Sequence, residues 1–476
     1  MEHIQFIYPP CSKCVKKRKS SNIIVSEYIF HYLFIEVKDI VLVNFMKWYD
    51  EVEYIREQAM KNNEFFANSL PMIASENVLS PLCREMLITD FHGRYAEGTP
   101  RNRYYEGCKF FDLVEEKTME LAKKLFSCNY ADVRPTSGTV ANMAVLKALI
   151  KPGETATVLD TANGAHISFG KYGAAGVRGI NLVSFPFSNE EMNIDVDGAV
   201  KLIKQVKPKL ALCGQSVFLF PTPLKPIAQA AHEVGATVVY DAAHVLGLIA
   251  GKRFQDPIRE GADVMNGSTH KTLPGPQGGM ILSDHKADSE DDKAFLRKIG
   301  FGVFPGVTSS YHLHHVAAKG IAFAEHLEFG DAYADQTIKN AKCLAQALHE
   351  QGFKVFGEKL GFTKSHQVLV EIGPGKGKES SKILEEAGIV TNMNMIPGDA
   401  DPLNPSGLRL GTPELTRIGM KEQEMIDIAS FYARALLKQE TPRKIKEDVK
   451  EFRKGFQELH YCYKKGYRGY DYHKLI

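Results

Sequence analysis

The sequence predicts an α/β protein whose sheet is built mainly from parallel strands. Short apolar runs bounded by turn residues recur along the middle of the chain, and helical stretches separate them. Parallel strands need a long crossover connection, usually a helix, so this alternation indicates a parallel sheet flanked by helices. With 476 residues the chain is also long enough to form two or three domains.

The predicted elements follow one another from about residue 111. Residues 111–126 form an amphipathic helix, and the TSGT sequence of residues 136–139 opens a second helix that runs through Leu149. A further helix is predicted over residues 225–234. The apolar runs that we predict as strands cover residues 155–159, 180–185, 210–213, 237–240 and 279–282.

The pattern changes after the last of these strands, which predicts a second domain. A long helix is expected over residues 317–348, then a strand over 367–372, a Gly/Lys turn and further helices. The charged, tyrosine-rich tail after Thr441 is expected to pack late or lie exposed. We therefore divide the chain into four parts, which are an extension (1–45), a helical arm (46–75), a large domain (76–325) and a small α/β domain with the tail (326–476).

The first 45 residues differ in residue pattern from the rest of the chain. Acidic residues interrupt an aromatic, β-branched stretch, which argues against a membrane-spanning helix, and no small-residue cleavage site suits a secretory signal. The helical pattern that starts at Met46 resembles a true protein start, and we favour that start over a functional extension.

Composition excludes several classes of partner and site. The net charge is +2, which favours neither nucleic acid nor a membrane surface as the main partner. Eight scattered cysteines argue against a disulfide scaffold and suit a reducing compartment, so we expect a cytoplasmic protein. Cys11 and Cys14 form a C-x-x-C pair without a second pair, and no metal site is predicted.

Residues 267–272 (GSTHKT) and 240–244 (YDAAH) carry the most chemical information. A lysine such as Lys271 attacks a carbonyl once a crowded, desolvated site removes its proton. An aspartate such as Asp241 can keep a pyridine nitrogen protonated. Pyridoxal phosphate (PLP) needs both groups, although an unrelated pair of surface charges would look the same in sequence.

Other segments supply groups for a phosphate and for an amino acid. Ser137, Gly138 and Thr139 open a helix and could seat a phosphate, as Ser268 and His270 could, or they are an ordinary helix cap and a polar loop. The remaining candidates are His166 for ring stacking, the tyrosine-rich segment 95–105 for acid/base work, and Arg409 for a carboxylate or a structural ion pair.

Eight of these segments occur in an order that closely resembles the serine hydroxymethyltransferase family, in particular its archaeal branch. The resemblance runs from about Met46 to the C-terminal region. The segments are 73–77 (IASEN), 94–98 (RYAEG), 135–138 (PTSG), 241–244 (DAAH), 269–272 (THKT), 275–279 (GPQGG), 304–306 (FPG) and 407–412 (GLRLGT).

The resemblance implies a fold type I PLP-dependent transferase, with a mostly parallel seven-stranded sheet in the large, PLP-binding domain. It also implies a role for each candidate residue. Lys271 would hold the cofactor aldehyde, with Asp241 and His270 also counted as catalytic. The other cofactor contacts would be made by Tyr95, Ser137, Gly138, Thr139, His166, Ser216, His244, Ser268 and Gly306.

On the substrate side, the resemblance assigns Arg409 to the amino-acid carboxylate with Ser75 beside it. Glu97 would handle the proton of the serine hydroxyl, and Asn394 would lie near a pterin. In the family Tyr95, Glu97 and Tyr105 reach the site of the neighbouring subunit, which implies a homodimer with shared active sites. The small-molecule substrates would be serine, glycine and a reduced pterin.

The implied activity is the reversible interconversion of L-serine and glycine, with the one-carbon unit passed to the pterin. Thr161 and Ala165 replace the usual leucine and glycine of the pterin wall, and Gln277 and Phe169 also depart from common family residues. These changes leave tetrahydrofolate and tetrahydromethanopterin both open as carriers. A pterin-independent aldolase acting on threonine or allo-threonine is the alternative function.

Overall fold

A computed structural model describes residues 48–475, so the predictions for the extension, for Met46 and for Cys11 and Cys14 lie outside the described residues. The chain divides into a first unit that ends at Asn62 and a second unit that begins at Asn63. The described residues of the first unit, 48–62, are helical. No helix within residues 48–475 is long and apolar enough to cross a membrane.

The described elements alternate as the sequence predicts. The helices are α1 (48–67), α2 (Pro81–Leu87), α3 (Lys109–Phe126), α4 (Gly138–Leu149), α5 (Ala174–Arg178), α6 (Val196–Val206), α7 (Leu224–Glu233), α8 (Leu246–Ala250), α9 (Glu290–Val303), α10 (Leu313–Glu350), α11 (Gly377–Glu386), α12 (Pro413–Arg417), α13 (Glu422–Leu436) and α14 (Pro442–Arg453). The strands are β1 (Leu70–Pro71), β2 (Gly98–Thr99), β3 (Asn102–Arg103), β4 (Tyr130–Asp132), β5 (Thr155–Val158), β6 (Asn181–Ser184), β7 (Phe187–Ser188), β8 (Asn193–Ile194), β9 (Leu210–Gly214), β10 (Thr237–Asp241), β11 (Val264–Ser268), β12 (Gly279–Ser283), β13 (Lys354–Val355), β14 (Gln367–Glu371), β15 (Ile389–Val390), β16 (Asn392–Asn394) and β17 (Gly407–Gly411).

The large sheet has seven strands in the order β4-β12-β11-β10-β9-β5-β6, which confirms the predicted α/β fold. Only β12 runs antiparallel to its neighbours β11 and β4. Every residue of β9 and β11 is buried, as expected for strands that helices cover on both faces. Ligands of such sheets bind beyond the carboxyl ends of the strands. Asp241 and Ser268 lie at those ends, on the neighbouring strands β10 and β11.

A second, antiparallel sheet has the order β13-β14-β17-β16 and a hydrophobic core of its own. Arg409 lies within β17, where it pairs with Leu369 of β14. The short helix α12 follows β17 and begins at Pro413. The predicted domain boundary at residues 325 and 326 falls inside α10 and stays a prediction.

The tail after Thr441 belongs to the second unit; most of its residues are exposed, as expected, but a few buried side chains anchor it. Its helix α14 ends at Arg453, a fully buried side chain whose Nε donates a hydrogen bond of 2.6 Å to the carbonyl of Ser69. Farther along, the Tyr470 hydroxyl donates a bond of 2.6 Å to Oε1 of Glu414. Both contacts satisfy buried polar groups, and they anchor the tail.

Candidate active site

Lys271 lies in the loop that follows β11, and only 8% of the residue is exposed. Burial lowers the pKa of its amine to about 8, because the charged form loses solvation; the Asp241 carboxylate opposes this shift and the Arg409 cation adds to it. Asn77 donates a hydrogen bond of 2.8 Å to the Lys271 carbonyl and so fixes the backbone at this point. The site thus holds an amine that loses its proton far more easily than a surface lysine.

Asp241, at the end of β10, is 3% exposed and receives two hydrogen bonds. The Ala243 amide donates to Oδ1 at 2.9 Å, and Asn142 on α4 donates to Oδ2 at 2.8 Å. Neither donor is charged, and Asp241 forms no ion pair within residues 48–475. A buried carboxylate of this kind is suited to a cationic ligand.

His166 is joined to Asp241 through two side chains. Its Nδ1 lies 2.7 Å from the Ser168 hydroxyl, which accepts a hydrogen bond of 2.8 Å from the same Asn142 amide that binds Asp241. Burial lowers the His166 pKa, although the nearby Asp241 opposes this, so the ring is neutral at physiological pH. The network fixes an uncharged aromatic ring near the buried carboxylate.

The residues predicted to seat a phosphate lie where α4 begins. Ser137 is the N-cap of α4 and accepts a hydrogen bond of 3.1 Å from the Val140 amide. A Cβ atom at Gly138 would collide with the Ser268 hydroxyl unless that side chain rotated, so glycine favours the close approach of these two segments. Thr139, the next residue, is exposed.

His270 has an Nδ1 atom that is buried without a hydrogen-bond partner. Burial lowers its pKa to about 4, and the charge of Lys271 acts in the same direction. A neutral ring therefore offers one unused nitrogen beside the loop that carries Ser268. Such an unsatisfied buried group is expected where a ligand supplies the missing partner.

Arg409 completes this cluster from the antiparallel sheet. Its Nη1 donates hydrogen bonds of 2.9 Å and 3.1 Å to Oγ and O of Ser216, and the Ser216 Oγ lies 3.4 Å from Nε2 of His244. Burial lowers the Arg409 pKa to about 10, its Nε has no hydrogen-bond partner, and it pairs with no carboxylate of residues 48–475. This buried, unpaired guanidinium is suited to the carboxylate of a ligand.

A second group of predicted residues lies elsewhere on the chain. The rings of Tyr95 and Tyr105 are 5.3 Å apart, and both residues are largely exposed (55% and 44%). Glu97, which lies between these two tyrosines in the sequence, accepts a hydrogen bond from the Ser309 hydroxyl. Within the described residues, no hydrogen bond of this group reaches Lys271. Gly306, another predicted residue, lies in the same loop as Ser309 and packs against the end of α9.

Two further predicted residues lie at the borders of the Arg409 cluster. Ser75 is half-buried in the segment that follows β1, and Asn394 is half-buried in β16. Asn394 donates a bond of 2.6 Å to the Met395 carbonyl, whereas Asn392 of the same strand lies 3.4 Å from Nη2 of Arg409. The structure therefore brings a residue without a predicted role, Asn392, closer to Arg409.

Sequence reasoning gave no role to several residues that hold the site together: Asn77, Asn142, Ser168, Gln367 and Asn392. The available signal for Asn142 was a polar side chain within an apolar stretch; in α4 this side chain is buried among apolar residues. Asn77 belongs to residues 73–77, one of the segments that carry the family resemblance. Gln367 begins a buried strand, and nothing in its local sequence indicates its partners.

The buried cluster fits PLP in each of its chemical parts. The Lys271 amine suits the aldehyde, and Asp241, whose two hydrogen-bond donors are neutral, suits a protonated ring nitrogen. The start of α4 at Ser137 and Gly138 suits the phosphate, and the unused nitrogen of His270 is a further candidate to bind it. Arg409 remains available for the carboxylate of an amino acid.

The chain is similar to known proteins over most of its length. The family model described as Serine hydroxymethyltransferase matches residues 50–432. A protein named serine hydroxymethyltransferase from Thermoplasma acidophilum is 51% identical over 431 residues, which covers 90% of this chain and 100% of that protein. A protein of the same name from Methanocaldococcus jannaschii is 51% identical over 428 residues, with coverage of 88% and 98%.

A solved structure supports the same conclusion about the fold. The L-threonine transaldolase from Pseudomonas fluorescens, in an internal aldimine state, aligns with a TM-score of 0.81 and 30% sequence identity. The alignment covers 88% of this chain and 95% of that protein. Because the family model spans most of the chain and full-length relatives share about half of its residues, the chain belongs to the serine hydroxymethyltransferase family.

Proposed function

We propose that this protein is a PLP-dependent glycine hydroxymethyltransferase, which interconverts L-serine and glycine and passes the one-carbon unit to a reduced pterin. One observation carries the proposal: an unpaired, buried guanidinium lies close to a buried amine of lowered pKa. Arg409 can hold an amino acid by its carboxylate while the Lys271 amine serves the aldehyde of the cofactor.

The cofactor, when bound, supplies an electron sink at its protonated pyridine ring. Lys271 would hold the aldehyde, and Asp241, oriented by Asn142, would keep a proton on the ring nitrogen. His166, which is neutral, would cover the ring without adding a competing positive charge. Ser137, Gly138, Thr139, Ser268 and His270 would hold the phosphate.

Arg409 orients the substrate by two parallel hydrogen bonds to its carboxylate, with Ser75 beside it. Its Nη1 is already held by Ser216, so little side-chain freedom is lost when the substrate binds. Ser216 and His244 would contact the ring oxygen of the cofactor. Because Ser216 contacts both Arg409 and His244, the carboxylate of the substrate would be oriented relative to the cofactor.

Glu97 handles the hydroxyl proton of serine as the bond between Cα and Cβ breaks. Tyr95 and Tyr105 are exposed, Glu97 is half-buried, and within the described residues none of the three forms a hydrogen bond with the Lys271 cluster. We therefore assign them, with Gly306, to the site of a neighbouring subunit. The active unit is then a homodimer. An exposed pair of tyrosines beside a carboxylate is the type of surface that a second copy would cover.

The carrier of the one-carbon unit is a reduced pterin, either tetrahydrofolate or tetrahydromethanopterin. Asn394 would lie beside the pterin, as the family resemblance implies. A small pocket beside the His166 loop, lined by Ala162, Met192, Val217, Leu369 and Met395, has room for only about one water molecule, so it is not itself the pterin site. Thr161 and Ala165 stand in this loop and are candidates to distinguish the two carriers.

An assay of serine cleavage tests the proposal directly. Purified protein loaded with PLP is given L-serine with tetrahydrofolate, with tetrahydromethanopterin or with no carrier, and glycine is measured. We expect one carrier to increase glycine formation strongly. Glycine formation that ignores both carriers, together with cleavage of threonine or allo-threonine, would replace this proposal with the pterin-independent aldolase.

The compartment is the remaining part of the proposal, and we assign the protein to the cytoplasm. The described cysteines, Cys83, Cys108, Cys128, Cys213, Cys343 and Cys462, are all free thiols. Free, mostly buried thiols are typical of a reducing compartment. Localisation of the full-length protein by cell fractionation tests this assignment.

A further inference from the structure

We propose that Gln367 is a positioning residue: it holds His244 as the tautomer with hydrogen on Nε2, and so aims a hydrogen-bond donor at the ring oxygen of the cofactor. This inference rests on the proposed function, because the ring oxygen belongs to PLP. Gln367 is fully buried at the start of β14, in the antiparallel sheet, whereas His244 follows β10 of the large sheet.

The orientation of the Gln367 amide follows from a backbone contact. The Phe218 amide nitrogen lies 2.8 Å from Oε1 of Gln367, and a backbone N–H can only donate. The atom that faces Phe218 must therefore be the oxygen. The NH₂ group of Gln367 then points to the opposite side, where it has two hydrogens to donate.

Those two hydrogens have three possible acceptors. The Ser216 carbonyl, at 3.0 Å, can only accept and takes the first hydrogen. Nδ1 of His244 lies at 3.0 Å and Nε2 of His366 at 3.3 Å. Nε2 of His366 also lies 3.2 Å from the Ala74 carbonyl, to which it must donate its own hydrogen. His366 cannot accept there, so the second hydrogen of Gln367 goes to His244.

The protonation of His244 is then determined. Nδ1 accepts from Gln367 and carries no hydrogen, so the neutral ring carries its hydrogen on Nε2. Burial lowers the His244 pKa well below its ordinary value, and the cations Lys271 and Arg409 act in the same direction, so the ring stays neutral. The titratable and charged groups that face His244 are Lys271, Arg409, His366 and His166.

The donor on Nε2 points toward the edge where the cofactor is expected. It lies 3.4 Å from the Ser216 hydroxyl, which already accepts a bond from Arg409. A neutral donor aimed at the ring oxygen stabilises its anionic form and lowers the pH at which it loses its proton. Since Gln367 and Arg409 both bind the Ser216 carbonyl, one network joins the substrate arginine to the cofactor histidine.

Neutron diffraction from crystals of the full-length, PLP-loaded protein in D₂O reads the tautomer directly. We expect deuterium on Nε2 of His244 and none on Nδ1, with a deuterium of the Gln367 amide directed at Nδ1. Deuterium on Nδ1 of His244 would overturn the inference. Because this measurement uses the unaltered chain, it does not depend on the folding of any variant.

Removal of the amide tests its effect on the cofactor. The Gln367→Leu variant loses the donor to Nδ1, and we expect the pH midpoint of the visible absorbance band of bound PLP to rise by about 1 unit. The matched control is Gln255→Leu, because Gln255 is also buried and its Oε1 accepts a backbone bond of 2.8 Å, from Thr222. The control should keep the midpoint of the unaltered protein.

The outcomes separate this inference from the proposed function. Equal midpoints in the two folded leucine variants would refute the role of Gln367 while leaving the enzyme assignment intact. An unaltered protein that never develops a visible band with PLP would instead refute the proposed function. In that case the tautomer of His244 can still be read from neutron data on the protein as purified.

Discussion

At the scale of single residues, burial gives three charged side chains different chemical properties. Lys271 loses basicity because its ammonium is poorly solvated, so the amine is available near neutral pH. Asp241 receives side-chain hydrogen bonds from neutral donors alone and forms no ion pair within residues 48–475. Arg409 stays cationic because guanidinium groups do not lose their proton in proteins. The Lys271 amine is thus suited to an aldehyde, the Asp241 carboxylate to a cation and the Arg409 guanidinium to a carboxylate.

The lowered pKa of Lys271 makes cofactor capture depend on pH. Only the unprotonated amine attacks an aldehyde, so we expect the rate of PLP capture by the cofactor-free protein to rise with pH through a midpoint near 8. The visible absorbance band is the measurement, and Lys271→Ala should show no such band. A midpoint close to the ordinary lysine value would contradict the burial argument.

Substitution of Arg409 tests the carboxylate contact. We expect Arg409→Ala to weaken serine and glycine binding by about 2–5 kcal/mol, because a buried charge pair is lost. Arg409→Lys should restore little of the lost binding free energy, since lysine cannot form two parallel hydrogen bonds. Binding is measured by spectral titration with glycine. Arg434→Ala serves as the control, because Arg434 pairs with Glu440 and Asp448, which have no role in the proposed site. Equal affinity in Arg409→Ala would remove Arg409 from the substrate site.

At the scale of elements, the site is assembled where strands end and helices begin. The ends of β10 and β11 bring Asp241 and the Lys271 loop to one edge of the sheet, and the start of α4 adds Ser137 and Gly138. One turn farther along α4, Asn142 reaches Asp241. A single helix therefore carries both the predicted phosphate seat and the residue that orients the Asp241 carboxylate, so both ends of a bound cofactor would contact one rigid element.

The C-terminal tail is an element whose packing can be measured. Arg453→Ala would leave the Ser69 carbonyl buried without its donor, and we expect the free energy of unfolding to fall by about 1–3 kcal/mol. Urea denaturation of the two proteins gives the difference. Arg468→Ala, at an exposed position of the same tail, should change it by less than about 0.5 kcal/mol. An equally small effect at Arg453 would show that the tail adds no stability.

At the scale of the whole molecule, the proposed reaction needs two groups of residues that share no hydrogen bond within residues 48–475. Tyr95 and Tyr105 are exposed and Glu97 is half-buried, whereas Lys271 and Arg409 are buried. Both sets are required by the same proposed chemistry. A second copy of the chain would supply the missing set to each site, which explains why large aromatic side chains remain on the surface of one subunit.

Mixing two inactive variants tests whether the sites are shared. Lys271→Ala and Glu97→Gln should each lack serine cleavage. If Glu97 serves the neighbouring subunit, a mixed dimer keeps one intact site, and random reassembly from equal amounts should restore roughly a quarter of the activity. Size-exclusion chromatography confirms that dimers have re-formed. Mixed dimers that stay inactive would place Glu97 and Lys271 of one chain in the same site.

Sequence alone determined the parts of this protein that depend on local pattern and on segment order. The alternation of apolar runs and helices predicted the α/β sheet, and α4 ends at the residue expected, Leu149. Eight ordered segments indicated the family before any contact was known. Lys271 and Asp241 could be proposed because their neighbours along the chain are distinctive.

Tertiary structure decided everything that depends on contacts between distant segments. Gln367 reaches His244 from another sheet, across 123 positions of the chain, and Asn142 reaches Asp241 across 99 positions. The tail expected to pack late or lie exposed is anchored by Arg453 because a buried carbonyl needs a donor. Hydrogen-bond partners and burial depend on how elements pack in three dimensions, and a one-dimensional pattern does not contain that information.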